Sequence, residues 1–299
     1  CEARAYSPGV GTLLIVNPSA SGVSEELVAR VEAALGGHVQ TVRTEGRGHA
    51  TELARSHEAA VEAIAVFSGD GTYNEVLNGV RGSTPLGFVP GGGTSVLPRA
   101  LGLPRDPVAA ARRIAEGRLR RIGLGRVNGR RFGFSCGVGL DAELVRRVDG
   151  RGRRPDGRRP GDGAFVAAGL RSLVAHRGHF EPALEIEGVG RAAFALVANC
   201  CPYTYLGPLG LRLVPQASFD GGLDLVAPRR VGRLGLLPFA VSAARGQLDR
   251  RRGVLSVHDA DRLRIRGDLP LPLQVDGEDL GDIDELELVA ERDAVAVYV

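Results

Sequence analysis

The residues Ser68-Gly69-Asp70-Gly71-Thr72-Tyr73-Asn74-Glu75 follow the apolar run Ile64 to Phe67 and lead into a helical pattern from Tyr73 to Val80. Two glycines let the main chain approach a ligand closely and take positive φ. A turn of this kind aims N–H groups and a helix N-terminus at whatever lies above the strand, an arrangement suited to phosphate. A carboxylate there would repel phosphate unless a cation lay between them, so Asp70 points to a nucleotide with a divalent metal. The same residues would also serve as a plain strand-to-helix turn with Asp70 as N-cap. Two further segments have the same character: Asn17-Pro18-Ser19-Ala20-Ser21-Gly22 after Thr12 to Val16, and Pro90-Gly91-Gly92-Gly93-Thr94-Ser95 after Pro85 to Val89. Carboxylates recur in Phe219-Asp220-Gly221-Gly222-Leu223-Asp224-Leu225 and in Gln274-Val275-Asp276-Gly277-Glu278. Both read as well as turns between strands, with Asp276-Gly277 a hairpin turn and Glu278 solvated.

Alternating strands and helices carry the first set. Ser24 opens a helix with Leu27, Val28, Val31, Ala34 and Leu35 on one face. Val39 to Arg43 reads as a strand, Thr51 to Ala60 as a helix, Ala63 to Phe67 as a strand and Pro107 to Gly117 as a helix. This order implies right-handed βαβ units around a parallel sheet, with the glycine turns at the carboxyl ends of its strands, where such sheets bind ligands. After about Arg121 the period changes. Val127 to Phe132 is a hairpin with an Asn128-Gly129 turn. Leu184 to Ile186, Ala193 to Ala198, Leu211 to Val214, Leu223 to Val226, Arg262 to Arg266 and Leu273 to Val275 are short strands parted by Gly, Pro and Asp. The expected architecture is α/β: a Rossmann-like domain over 1–121, to which 285–299 returns, and a β-sandwich domain over 122–284, with the active site in the cleft between them.

Composition narrows the choice. Hydrophobic residues are 43% and charged residues 24% of 299, normal for a globular chain. The net charge is +3 and the 38 basic residues are all arginine, which excludes a Walker-type loop with its phosphate-binding lysine. Cys1, Cys136, Cys200 and Cys201 lack metal-ligand spacing, and the six histidines are scattered without metal spacing or an obvious Ser or Cys partner. No apolar run approaches a membrane span and no signal peptide is visible; with no methionine and Cys1 first, the true start is expected upstream. Arg146 to Pro160 reads as a mobile arginine-rich loop, solvated or lying on anionic headgroups. Val231 to Leu248 reads as a helix, with Leu234, Leu237, Val241 and Leu248 near helical spacing among arginines, either an interfacial helix or ordinary core.

The ordered set of motifs resembles the catalytic domain of the diacylglycerol kinases, sphingosine and ceramide kinases and soluble bacterial lipid kinases, over nearly the whole chain. The resemblance implies an N-terminal domain like those of NAD kinase and phosphofructokinase, and a second domain that takes the lipid. It implies an ATP-dependent kinase that phosphorylates a lipid hydroxyl, most simply that of diacylglycerol, in the cytoplasm with peripheral membrane contact. ATP and Mg²⁺ are the implied cofactors; no nucleic-acid partner is expected. Carried onto this chain, the nucleotide positions fall on Asn17, Ser21, Gly22, Thr44, Ser68, Gly69, Asp70, Gly71, Thr72, Tyr73, Asn74, Gly93, Thr94 and Ser95. The structural magnesium maps to the Asp220 side chain with the carbonyls of Ala217 and Gly222, and the proton acceptor maps to Glu278, with Asp276 beside it and Asp70 as the third catalytic acid. Two departures stand out: Ser68 replaces the first glycine of Gly-Gly-Asp-Gly-Thr, and Val96 falls where many members carry a second acid. Val96 also suggests a catalytically weakened regulatory protein, and the shared Gly-Asp-Gly-Thr a relative of NAD kinase.

Overall fold

The computed structural model describes residues 11–150, 171 and 178–299. The chain divides into two compact units, residues 1–122 with 294–299, and residues 123–293. The fold class is mixed α/β, as expected.

In the first unit β1 (Thr12–Val16), α1 (Glu25–Leu35), β2 (Val39–Arg43), α2 (His49–His57), β3 (Ala63–Ser68), α3 (Asp70–Gly79), β4 (Leu86–Pro90), α4 (Val96–Ala100) and α5 (Pro107–Ala115) follow in order. The strands are parallel in the order β2-β1-β3-β4, with Thr12 opposite Val39 and Ala63, and Ile64 opposite Leu86. Leu13–Val16, Ala63–Ser68 and Leu86–Pro90 are buried throughout, the continuous apolar run of a sheet covered on both faces. Leu14, Val16, Phe67 and Val89 pack against Val28, Val31, Ala111 and Ile114 of α1 and α5. Gly87 permits this approach: a Cβ there would lie 3.0 Å from the Ile114 side chain. Ser24 caps α1 by accepting from the Leu27 amide at 3.3 Å. The helix expected over Thr51 to Ala60 starts earlier, at His49, and ends at His57; Glu58–Ala60 tightens into a 3₁₀ turn, where Glu58 turns inward to bind a distant loop.

The second unit begins within β5 (Leu119–Val127), whose Asn128-Gly129 turn, φ 45° and 88°, joins it to β6 (Arg130–Phe132) as the sequence predicts. There follow β7 (Ser135–Val138), α6 (Leu140–Asp149), β8 (Leu184–Ile186), β9 (Gly190–Ala192), β10 (Ala195–Ala198), β11 (Thr204–Leu206), β12 (Leu209–Leu211), β13 (Leu223–Pro228), α7 (Leu236–Ala244), β14 (Val254–Ala260), β15 (Arg262–Val275) and β16 (Glu278–Tyr298), whose residues from Ala294 on belong to the first unit. β14, β13, β10, β7, β15 and β16 pair antiparallel in that order. Alternation sorts their side chains between two cores. Ala195, Val197, Leu223, Leu225 and Ala227 join Ile265, Val275 and Leu286 on one face, while Leu196, Ala198 and Val226 join Phe180, Phe194, Tyr203 and Leu248 on the other. The two strands expected at Arg262 to Arg266 and Leu273 to Val275 are the ends of one strand; its register shifts between Arg266 and Leu271, where prolines remove amide donors. The helix expected over Val231 to Leu248 is shorter, a 3₁₀ turn at Arg233–Gly235 and then α7. Arg146 and Arg147 belong to α6 rather than to a loop, Arg146 being tied to Asp279 at 2.9 Å and Asp282 at 2.7 Å. The rest of the arginine-rich segment, 151–160, and Cys1 lie outside the described residues.

Candidate active site

The turns after β1, β3 and β4 converge. The Gly22 amide donates to the Gly91 carbonyl at 2.8 Å, and the Gly91 amide to the Ser68 carbonyl at 2.6 Å. Asn17 Nδ2 donates to Thr72 Oγ1 at 3.1 Å, and Ser68 Oγ donates to the same oxygen at 2.8 Å. The Gly69 and Gly92 main chains touch, since a Cβ on Gly92 would lie 2.7 Å from Gly69 Cα. The Thr44 amide, after β2, donates to the Val16 carbonyl at 2.9 Å. Asn17, Thr44, Ser68, Gly69, Asp70, Thr72 and Gly91-Gly92 therefore share one edge of the sheet, at the carboxyl ends of β1 to β4. α3 opens there from Gly69 with no side-chain cap, and its first amides and positive dipole end suit an anion. A separate cavity of about 160 Å³, lined by Thr12, Leu35, Ala63, Ile114 and Tyr298, lies at the amino ends of β1 and β3.

Three expectations for this loop set change. Asp70 is not an N-cap: it is the first residue of α3, and its Oδ1 accepts from the Leu97 amide at 3.2 Å, at the start of α4. Tyr73, placed at the nucleotide by resemblance, is 1% exposed and turned into the core, its hydroxyl 2.6 Å from the Ser68 carbonyl and 2.7 Å from that of Val89. Burial pushes its ionisation well above the phenol range. It holds two strand ends together. Asn74 is equally buried, with its amide oxygen taken by Asn78 Nδ2 at 3.2 Å. Ser21 and Gly93 are exposed, Gly71 and Thr94 half-buried, and Ser95 Oγ meets the Gly92 amide at 3.3 Å. Ser68 is tolerated in place of glycine because its φ is not positive. Val96 is 3% exposed and packed in the core, so no acid stands at that position.

In the second unit Asp276-Gly277 is a hairpin turn with φ 48° and 76°, between the paired Val275 and Glu278. Asp276 is 4% exposed and accepts from the amides of Gly133, Phe134 and Ser135 at 2.7, 2.9 and 3.1 Å. The carboxylate thereby ties the hairpin to the end of β6. Glu278 is half-buried rather than solvated and pairs with Arg130 Nη2 at 2.6 Å. A chain of hydrogen bonds from the same hairpin leads to a group that the sequence did not single out. Asp141, at the start of α6, accepts from Tyr203 OH and Gln274 Nε2, each at 2.7 Å, while Gln274 Oε1 accepts from the Gly277 amide at 2.8 Å. Burial raises the Asp141 carboxyl, and the two donors only partly offset this. The Gly137-Val138-Gly139-Leu140-Asp141 spacing was a usable signal, because a Cβ at Gly137 would sit 2.0 Å from Asp141 Oδ2. Cys136 and Cys200 are buried, and burial lifts both thiols far above the thiolate range. His258 lies against Asp224.

The oxygen donors expected for a structural magnesium fall in one turn. Asp220 is exposed, Ala217 and Gly222 are buried, and the Gly222 amide donates to Asp259 Oδ1 at 2.6 Å. That amide, with Arg292, holds the Asp259 carboxyl below its ordinary range. Among the described residues no three His, Cys, Asp or Glu side chains cluster as a metal site. One carboxylate with two main-chain carbonyls is still a hard, all-oxygen set of the kind Mg²⁺ takes when it keeps several waters.

Comparison with known proteins bears on this geometry. The family described as "Diacylglycerol kinase catalytic domain" matches residues 11–127, and the "YegS C-terminal NAD kinase beta sandwich-like domain" matches 135–297. A diacylglycerol kinase of Bacillus subtilis is 30% identical over 256 residues, covering 81% of this chain and 80% of its own. Among solved structures, a diacylglycerol kinase from Bacillus anthracis superposes with a TM-score of 0.71 at 20% identity, covering 96% of each chain. An NAD kinase from Archaeoglobus fulgidus in complex with ATP reaches 0.52 at 13% identity, covering 96% of this chain and 93% of that one. Both structural likenesses concern the fold.

Proposed function

The chain belongs to the diacylglycerol kinase family, and from that premise we propose that it transfers the γ-phosphate of ATP to the hydroxyl of a lipid, with diacylglycerol as the first candidate. The observation that carries the reading is the convergence of the glycine turns, with Gly22, Gly91 and Ser68 joined amide to carbonyl and Gly69 against Gly92. Such turns cradle phosphate with main-chain amides and need no lysine, in keeping with a chain that has none. Asn17, Thr44, Ser68, Gly69 and Thr72 shape that cradle, Gly71, Gly93, Thr94 and Ser95 extend it, and Ser21 and Gly22 close it from the β1 side. Tyr73 and Asn74 hold it from within.

Asp70 is the carboxylate at the cradle, and with phosphate oxygens and water it would hold Mg²⁺; Asp220 with the Ala217 and Gly222 carbonyls is the second candidate set. When bound, the ion neutralises charge on the phosphates. The lipid hydroxyl oxygen attacks the γ-phosphorus, the bond to the ADP oxygen breaks, and the hydroxyl proton passes to Glu278. Asp276 fixes the hairpin that carries Glu278, and Arg130 orients that carboxylate. Base catalysis of this type contributes about 10²–10⁴-fold. A water-insoluble substrate requires contact with a membrane surface on the side where ATP is found, the cytoplasm.

The test is transfer from γ-labelled ATP to a panel of lipid alcohols in vesicles, diacylglycerol and a sphingoid base among them, and to NAD in parallel. Labelled phosphatidic acid, or another lipid phosphate, is the expected product. Label in NADP alone would overturn the lipid assignment. ATP binding with no transfer to any acceptor would favour the weakened regulatory protein, which the buried Val96 makes the natural second reading.

A further inference from the structure

Helix α7 reads Leu236-Leu-Pro-Phe-Ala-Val-Ser-Ala-Ala244 and carries no charge. Its inner face, Leu236, Phe239 and Ala243, packs on the core of Phe194, Leu196 and Val226, with the Phe239 and Phe194 rings edge to face at 6.1 Å. Its outer face is apolar too. Leu237 is 74% and Val241 38% exposed, and with Ala244 they form a stripe at i, i+4 and i+7. A helix that is apolar all round is normally buried on all sides. Among the described residues, this one is left open on one side.

The chain on either side of the stripe is cationic. Between positions 229 and 252 there are seven arginines and one acid, Asp249, whose Oδ2 already accepts from Gln216 Nε2 at 3.0 Å. Arg233 precedes the helix, Arg245 ends it, and Arg250, Arg251 and Arg252 follow within one short turn. Arg230 is committed to Glu181 at 2.8 Å. An apolar stripe flanked along the chain by arginines matches an anionic lipid interface, with guanidinium groups at the headgroups and leucine at the acyl boundary. Self-association fits less well, because a two-fold pairing of this face would set the flanking arginines against one another.

We propose that the outer face of α7, Leu237 and Val241 with Arg233, Arg245 and Arg250–Arg252 flanking them along the chain, docks this chain on an anionic phospholipid bilayer. The proposal deepens the lipid-kinase reading by naming the surface that would meet the substrate's membrane. Its test uses no nucleotide and no turnover, so the two can fail separately.

The experiment is vesicle co-sedimentation of the full chain with phosphatidylcholine vesicles, with and without phosphatidylglycerol. The parent should bind the phosphatidylglycerol vesicles, less tightly as salt rises. Leu237→Asp with Val241→Asp should lower partitioning about tenfold or more, and Arg245→Ala with Arg250→Ala about fivefold for each charge removed. The chain has no tryptophan, so Leu237→Trp supplies a single reporter whose emission should shift to the blue on phosphatidylglycerol vesicles only. Leu237 is so exposed that Leu237→Trp leaves the core intact, and a melting curve verifies that the double aspartate variant, which also changes the less exposed Val241, stays folded. Unchanged binding by the double aspartate variant, or no shift at Trp, would overturn the proposal. So would a parent dimer that Leu237→Asp splits into monomers, since a second copy would then be the occupant.

Discussion

Asp70 stands at the crossing of structure and chemistry, and Asp70→Asn separates the two. The carboxylate accepts the Leu97 amide at 3.2 Å and so caps α4, a five-residue helix entered from Ser95 at φ 48°. Asparagine keeps an oxygen for that amide and loses only the charge, worth about 0.5 kcal/mol near a helix start. For a chain of this size that lowers the melting temperature by about 1 °C. Asp70→Ala loses the acceptor as well, at about 1–2 kcal/mol, and should melt a few degrees lower still. If the charge serves the phosphates, both variants lose about 10²–10³-fold in kcat despite their different stabilities. Calorimetry beside steady-state transfer from ATP to diacylglycerol vesicles gives the two readouts. An Asp70→Asn enzyme within tenfold of the parent would reduce the carboxylate to a cap for α4 and leave the phosphate cradle without its acid.

Other consequences follow from the same geometry. Gly22→Ala puts a Cβ 2.9 Å from the Gly91 carbonyl oxygen and should push the two loops apart, raising KM for ATP about tenfold with less change in kcat; an unaltered KM would detach the β1 turn from the nucleotide. Glu278→Gln should lower kcat by about 10²–10⁴-fold with KM for ATP nearly unchanged, and activity within threefold of the parent would remove it as proton acceptor. Glu58 accepts the amides of Arg81, Gly82 and Ser83 and the Ser83 hydroxyl at 2.8–3.1 Å. Burial opposes its charge, but these donors outweigh burial and hold the carboxyl below its ordinary value. Its folded value being the lower, the unfolded chain binds the proton first; the stability it lends is full above about pH 4.3 and fades as pH falls through the folded value. Melting curves from neutral pH to pH 3 should show that loss, and Glu58→Gln should be less stable at neutral pH by about 2–3 kcal/mol with a flatter acid limb.

Much of the α/β half was legible because its signals are local. The buried runs of β1, β3 and β4 and the Ser24 cap each depend on residues a few positions apart, as does the Asn128-Gly129 turn in the other half. The glycine turns were legible for the same reason, together with the rule that parallel strands present their carboxyl ends on one edge. The β-rich half is less legible: β15 looks divided at its prolines, since a local break and an irregular but continuous strand look alike until the partner strand is in place.

The amino-acid order by itself determined the glycine turns, the strand-to-helix rhythm that carries them and the positions of the candidate acids. Tertiary structure alone decided what each carboxylate does. Asp70 meets an amide 27 residues away, Glu58 amides 23 to 25 away, and Asp276 amides 141 to 143 away. It likewise decided that Asp141 is buried against Tyr203 and Gln274, and that one face of α7 is left open among the described residues. A carboxylate has the same chemistry before any amide, and an apolar stripe the same pattern whether covered or bare, so only the packing of distant segments could choose between them.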